Sequence, residues 1–245
     1  MAHYVYGIVA PGASAPRGKG IRGKRVTLVA GEEAAALVSD VGEDQVRLGR
    51  DEVLVHARVL ERALAQGTVL PMRFGIVMSG PQEIRDRLLD ERAAELREQL
   101  TELEGKVEVR IRASYDEDTL LREVVRDDPE IAALQAAMRG RSEDDATYYE
   151  RIRLGELVAA AVERRRHRDA QAIVEALSVV ALAVEPGRTE HERVAVQASF
   201  LVERSRLAEF DEVLEAVAAG FAGRLRFKYT GPLPAHSFVE FAERV

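Results

Sequence analysis

RFKYTGPLPAHSFVEF, residues 226–241, is the stretch whose reading decides the fold. Phe227 and Tyr229 alternate with Arg226 and Lys228, the period of a half-buried strand. Thr230-Gly231-Pro232-Leu233-Pro234 then stops the alternation, because proline has no N–H for a ladder and fixes its own φ. Phe238 and Phe241 follow three apart. The chain has six tyrosines, seven phenylalanines and no tryptophan. Such a concentration of rings and bulky groups therefore predicts a tail tied down on a core. The stretch reads as the closing strand and lock of a C-terminal domain.

Working outward, residues 207–221 space Phe210, Val213, Leu214, Val217 and Phe221 as the inner face of a helix, with Gly223 beyond its end. Before it, ERVAVQASFLVER (192–204) reads as a strand. GKVEVRIR (105–112) sets Val107, Val109 and Ile111 against Lys106, Glu108, Arg110 and Arg112, a half-buried strand. Strand, helix and strand in tandem, with a further strand at 105–112, predict α+β with a ferredoxin-like C-terminal part. The middle is helical: 116–127, then 129–138 behind Pro129, then one long helix over 146–184 ended by Pro186-Gly187. Near 40 residues, that helix predicts a hairpin-like arm or coiled-coil contact. The C-terminal domain is thus drawn over 105–245, with long helices at 116–184, and an N-terminal α+β domain over 1–104.

In the N-terminal part, HYVYGIV (3–9) is a strand, and 26–30 and 34–41 are two more around a Gly31-Glu32-Glu33 turn. Between them, Gly18-Lys19-Gly20-Ile21-Arg22-Gly23 is a literal G-x-G-x-x-G. A dinucleotide site needs those glycines directly after a strand and opening a helix. Here a strand follows, so a glycine-basic loop is the better reading. Residues 51–66 form a helix with Val53, Ala57, Leu60 and Leu64 inward. Glu52 and His56, four apart, make a surface pair rather than a metal half-site. TVLPMRFGIVM (68–78) reads as an apolar strand whose proline argues for an edge or a bulge, with Arg73 buried among apolar neighbours. Such a cation needs a defined partner, either a helix acid or an anionic ligand such as a peptide carboxylate. A helix follows from Pro81 to about Leu103 along Ile84, Leu88, Leu89, Leu96, Leu100 and Leu103.

Composition narrows function. With 31% charged residues and a net charge of −7, the chain reads as soluble and as a poor general binder of nucleic acid. No cysteine is present, which excludes disulfides, thiolate metal sites and cysteine nucleophiles. No basic segment precedes the first apolar run, and the run at 173–184 is short of the ~20 residues a bilayer span needs. An intracellular protein outside the membrane is expected. His3, His56, His167, His191 and His236 are scattered, and no P-loop, G-x-S-x-G or H-E-x-x-H occurs. ERRRHR (163–168) reads as the solvated part of a helix or a basic patch, and Glu190-His191-Glu192 as a solvated turn. Residue chemistry points to a binder with no catalysis, cofactor or metal. A small-molecule-binding regulatory protein or enzyme is the alternative, motivated by the G-x-G-x-x-G loop and Arg73.

YVYGIV, VLPMRFGIV, GKVEVRIR, ASFLVER and YTGPLPAHSFVEF occur here in the order seen in gas-vesicle accessory proteins of the GvpF/GvpL family, which the whole chain resembles. The combination of LP-x-RFG-x-V with TGP-x-P-x-x-SF carries the resemblance. The family commonly has an aromatic after TGP and Pro-Tyr before SF, where this chain has Leu233 and Ala235-His236. The resemblance implies two α+β domains, the second with long helices, and a non-enzymatic role in vesicle nucleation. The implied partners are the hydrophobic shell protein and other accessory proteins, with no nucleic acid, membrane or small-molecule substrate. It also implies a cytoplasmic, vesicle-associated protein. Arg73, Phe74, Pro232 and Phe238 are the candidate partner-binding residues.

Overall fold

Alternation builds the first sheet. In the computed structural model, which describes residues 1–42, 49–140, 145–188 and 193–240, strand β1 (Ala2–Val9) turns Tyr4 and Tyr6 to one face and Val5 and Ile8 to the other. Val5 and Ile8 can share a face at an odd spacing because the register shifts between Val5 and Gly7, as a bulge allows. β2 (Thr27–Ala30), β3 (Ala35–Gly42), β4 (Val69–Pro71) and β5 (Val77–Met78) complete the sheet, in the order β2-β3-β1-β4 with β5 also on β1. The pairs β1–β3, β1–β4, β1–β5 and β2–β3 are antiparallel.

Helix α1 (Arg50–Leu64) buries His56, Val59, Leu60, Ala63 and Leu64. Of the expected inner face, Leu60 and Leu64 are buried, but in the first turns the face is turned: Val53 is 45% exposed and His56 only 4%. The predicted strand over 68–78 is two short strands with a turn between them. Gly75, at φ +100°, bulges the chain out between them before β5 resumes along the same edge of β1, so the alternation of Leu70 and Met72 ends there and Arg73 is exposed rather than buried.

The helix expected from Pro81 to Leu103 is interrupted. A short α2 (Pro81–Glu83) passes into a π-helical stretch, Ile84–Asp90, before α3 (Ala93–Glu102). The Glu91 N–H reaches back five residues to the Asp86 carbonyl at 3.1 Å. The wider turn lets Ile84, Leu88 and Leu89, at i, i+4 and i+5, all face the core formed with Val5, Ile8, Leu70, Leu96 and Leu100.

The second sheet is β7-β8-β6-β9. Its elements follow as β6 (Lys106–Tyr115), α4 (Glu117–Asp127), α5 (Pro129–Met138), α6 (Asp145–Ser178), β7 (Ala183–Pro186), β8 (Val194–Glu203), α7 (Leu207–Gly220) and β9 (Leu225–Leu233). Asp116 and Asp128 cap α4 and α5 through backbone N–H groups. Two expectations fail here. The long helix stops at Ser178 rather than 184; Val179 and Val180 form a turn, and the last two residues of the apolar run, Ala183 and Val184, open β7. The closing strand runs on through a cis Gly231-Pro232 bond to Leu233. β9 ends the strand order, and an edge strand tolerates prolines.

The fold is therefore α+β with two sheets. The chain divides into two units: Met1–Val109, Leu201–Ser205 and Gly231–Val245 in the first, Arg110–Phe200 and Arg206–Thr230 in the second. The cut expected at 104/105 lies close to the first crossing, while 201–205 and the tail group with the first unit. The tail is packed down: Pro234 and Ala235 are buried, and Phe238 and Val239 lie half-buried against the first unit's core. Phe241 lies outside the described residues.

Candidate functional site

Two tyrosines on one face of β1 need partners for their hydroxyls, and the first unit supplies them. Tyr6 donates to Ser39 Oγ at 2.9 Å and accepts from the Ile21 N–H at 2.7 Å, while Ser39 donates to the Arg25 carbonyl at 3.0 Å. The Tyr4 hydroxyl lies 2.9 Å from His56 Nδ1 and accepts from the Gly75 N–H at 3.1 Å. His56 also bonds the Met72 backbone carbonyl, which leaves Nδ1 as the acceptor for Tyr4. Burial, followed by the charge of His236, lowers the His56 pKa to about 4 against the opposing Met72 bond. Burial raises Tyr4 to about 12 and also raises Tyr6. The cluster is neutral at pH 7 and its polar groups are engaged with one another.

Phe74 stands on this cluster. Its ring meets His56 edge-on, with centroids 5.7 Å apart at 89°, and Tyr4 at 6.1 Å, yet it remains 36% exposed. The bond from Gly75 to Tyr4 braces the turn that carries it. Arg73 is exposed immediately before it, and Val77, paired with Tyr4, is 39% exposed. Arg73 and Phe74 thus share one turn. Pro232, exposed, and Phe238, half-buried, lie on the tail. Sequence reading missed Tyr4, Tyr6, Ser39 and His56 as one constellation. The available signal was two hydroxyl-bearing rings two apart on a buried strand.

The G-x-G-x-x-G loop is structural. It passes through a single 3-10 turn, Ile21–Gly23, into β2. A side chain at Gly20 would strike the Tyr6 hydroxyl and come within 2.6 Å of Ser39 Oγ. Arg62 of α1 donates to the Lys19 carbonyl at 3.1 Å and pins the loop. Glu52 does not pair with His56; its carboxylate caps its own helix by accepting from the Gly49 N–H at 3.1 Å. A cleft of about 560 Å³ beside residues 10–14 holds an Arg97–Glu33 pair at 3.7 Å. The Glu190-His191-Glu192 turn lies outside the described residues.

A model of the family described as gas vesicle synthesis protein GvpL/GvpF matches residues 2–240. The chain belongs to this family. Gas vesicle protein F of Streptomyces sp. (strain CB03234) is 39% identical over 244 residues, covering 98% of this chain and 100% of the relative. The crystal structure of gas vesicle protein GvpF from Microcystis aeruginosa superposes with a TM-score of 0.79 at 25% identity, over 98% of this chain and 99% of that one. The corresponding structure from Anabaena sp. PCC7120 shares the fold, with a TM-score of 0.87 at 23% identity over 99% of each chain. GvpL/GvpF membership gives the protein a gas-vesicle-related role. Among the described residues, no helix is long and apolar enough to cross a membrane, and no group of three or more His, Cys, Asp or Glu could hold a metal ion.

In this GvpL/GvpF chain the basic run of α6 is also structural in large part. Arg165 pairs with Asp127 at 2.9 Å and Glu123 at 3.4 Å, and Arg166 with Glu163 at 2.8 Å. One turn on, buried Asp169 accepts from the Tyr115 hydroxyl at 2.7 Å and from Arg224 at 3.3 Å. Burial, then the bond and charge of Asp169, push the Tyr115 pKa far up. The pairs to Asp127, Glu123, Tyr115 and Arg224 fasten α6 within the second unit.

Proposed function

We propose that the protein is a non-catalytic assembly accessory of the gas vesicle, which binds the hydrophobic shell protein and other accessory proteins during nucleation. It acts in the cytoplasm, on the forming vesicle. The observation that carries this reading is Phe74: an exposed aromatic on a braced turn, backed by the Tyr4–His56 cluster and flanked by Arg73. A preorganised aromatic beside an arginine is the composition of protein-binding hot spots. A shell subunit with a large apolar surface needs such a partner to avoid self-association. A net charge of −7 keeps the pair in solution. Non-catalysis is supported by the cluster itself, whose hydroxyls and imidazole satisfy each other and leave no activated base.

Arg73 and Phe74 form the primary contact in this reading, with Pro232 and Phe238 contributing from the tail. The second sheet, with strand order β7-β8-β6-β9, reads as ferredoxin-like, its elements running β-α-β-β-α-β once α4, α5 and α6 are counted as one helical connection between its first two strands. The long α6 reads as a coiled-coil arm for other accessory proteins, supported by exposed Tyr148, Tyr149 and Ile152 near its start.

The test is co-expression with the shell protein and affinity capture of the wild type, Arg73→Ala and Phe74→Ala. Capture by the wild type and at least a tenfold loss with Phe74→Ala, at unchanged circular dichroism, is the expected outcome. Absence of shell protein from the wild-type eluate would overturn the reading.

A further inference from the structure

The first unit holds residues 234–240 the way a receptor holds a linear peptide. Glu108 of β6 is fully buried, and both of its oxygens are aimed at one residue of the tail. Oε2 accepts from the Ser237 backbone N–H at 2.7 Å, and Oε1 accepts from the Ser237 hydroxyl at 3.0 Å. Gln99 of α3 donates to the Glu240 carbonyl at 2.9 Å. Around these polar contacts, Ala235 enters the core at 3% exposure, and Phe238 packs on it half-buried. The segment keeps a compact turn of its own, with the Phe238 N–H on the Ala235 carbonyl at 3.1 Å.

A carboxylate at position 108 is a poor choice if its purpose is only to stick the tail down. Burying it costs desolvation that a packed apolar side chain would avoid. What it adds is selection: it favours a residue that offers an N–H and a hydroxyl together, as Ser237 does. Backbone contacts with pockets for particular side chains are the usual grammar of segment recognition.

We propose that this groove is a segment-binding site, occupied at rest by the chain's own tail. Its ligand is a partner protein's segment that reads small–x–Ser–aromatic, as Ala235-His236-Ser237-Phe238 does. The tail is a placeholder that the partner displaces. This goes beyond the Phe74 surface, and its test needs no shell protein, so the two readings fail separately.

The probe is a fluorescent peptide of sequence TGPLPAHSFVE, residues 230–240, titrated by anisotropy against the full chain. A tethered tail competes at an effective concentration on the order of millimolar, so the wild type should bind the peptide weakly. Ser237→Ala/Phe238→Ala loosens the tail and leaves the groove intact, and should tighten peptide binding about tenfold or more. Adding Glu108→Gln should abolish that gain. A peptide with alanine in place of its serine should fail against the loosened protein, which tests the same contact should Glu108→Gln not fold. Equal binding to wild type and loosened variant, or none to a loosened variant with native circular dichroism, would overturn the proposal. So would a concentration-dependent dimer that excludes the peptide, which would assign the groove to tail exchange between copies.

Discussion

At the scale of single residues, His56 makes the sharpest prediction. Its pKa falls from 6.5 to about 4 on folding, with burial as the main cause and His236 adding to it. Between those values the unfolded chain binds a proton that the folded chain refuses. The stabilising contribution is therefore complete above pH 6.5 and is lost as pH falls toward 4. The shift corresponds to at most about 3 kcal/mol. Urea titrations at pH 7 and pH 4.5 should show a loss of that order in the wild type, and His56→Gln should flatten it; equal losses would refute the assignment. Gly20 makes a second prediction. Gly20→Ala pushes a methyl into Tyr6 and Ser39 and should cost about 1–3 kcal/mol by thermal melt. Neither residue announced itself. A histidine at helical spacing on a charged helix, and a glycine inside a familiar motif, both have commoner surface readings. Burial decided them, and burial depends on which residues of β1 and β3 lie beneath.

Among elements, what could be read from the chain was periodicity. The strands at 3–9, 105–112 and 192–204 and the helices at 51–66 and 207–221 stand within a few residues of their expected places. What could not be read was where tertiary packing overrides it. The π-helical stretch at Ile84–Asp90 shifts the register of an apparently continuous apolar stripe. The run at 173–184 is apolar but for Glu175 and Ser178, and periodicity alone cannot mark where its helix ends and the lead into strand β7 begins. The candidate site was half legible: Arg73 and Phe74 stood out as a charge and a ring in an apolar run, but the turn that exposes them required Gly75. Elements also carry the ion network of the second unit, which no sequence spacing reveals. Asp169 lies 54 residues from Tyr115 and 55 from Arg224. Asp169→Ala strands the Tyr115 hydroxyl and leaves Arg224 with Glu123 at 3.6 Å, and should cost about 3 kcal/mol. Tyr115→Phe, which removes one hydroxyl bond, should cost nearer 1 kcal/mol. Comparable losses for the two variants in urea denaturation would mean that the aspartate's pairing to Arg224 contributes nothing.

For the whole molecule, the two sheets repeat one plan. Counted within each sheet, both run second–third–first–fourth, and both place a helix between the third and fourth strands, α1 in one and α7 in the other. Where the second sheet inserts α4, α5 and α6 between its first two strands, the first has only the glycine-basic loop. Symmetry of plan suggests that a cut at 104/105 would liberate a complete domain, since β1 to β5 all precede it. The core argues otherwise. Leu201 and Ala235 belong to the buried cluster of the first unit, and Phe238 and Val239 cover it. Full burial of a leucine or phenylalanine stabilises by about 1.5–3 kcal/mol, against a total of about 5–15 kcal/mol for a typical domain. A fragment of residues 1–104 loses all four and opens the groove beneath them. We therefore expect it to melt broadly, at a lower temperature than the first unit of the full chain, and to bind a hydrophobic dye. A fragment of residues 1–112, which keeps Glu108, should in addition answer the peptide of residues 230–240 in trans with a sharper transition and weaker dye binding. A 1–104 fragment that melts as cooperatively, and at the same temperature, as the first unit of the full chain would show that the tail adds nothing to this core, and that the first domain is complete in the first 104 residues.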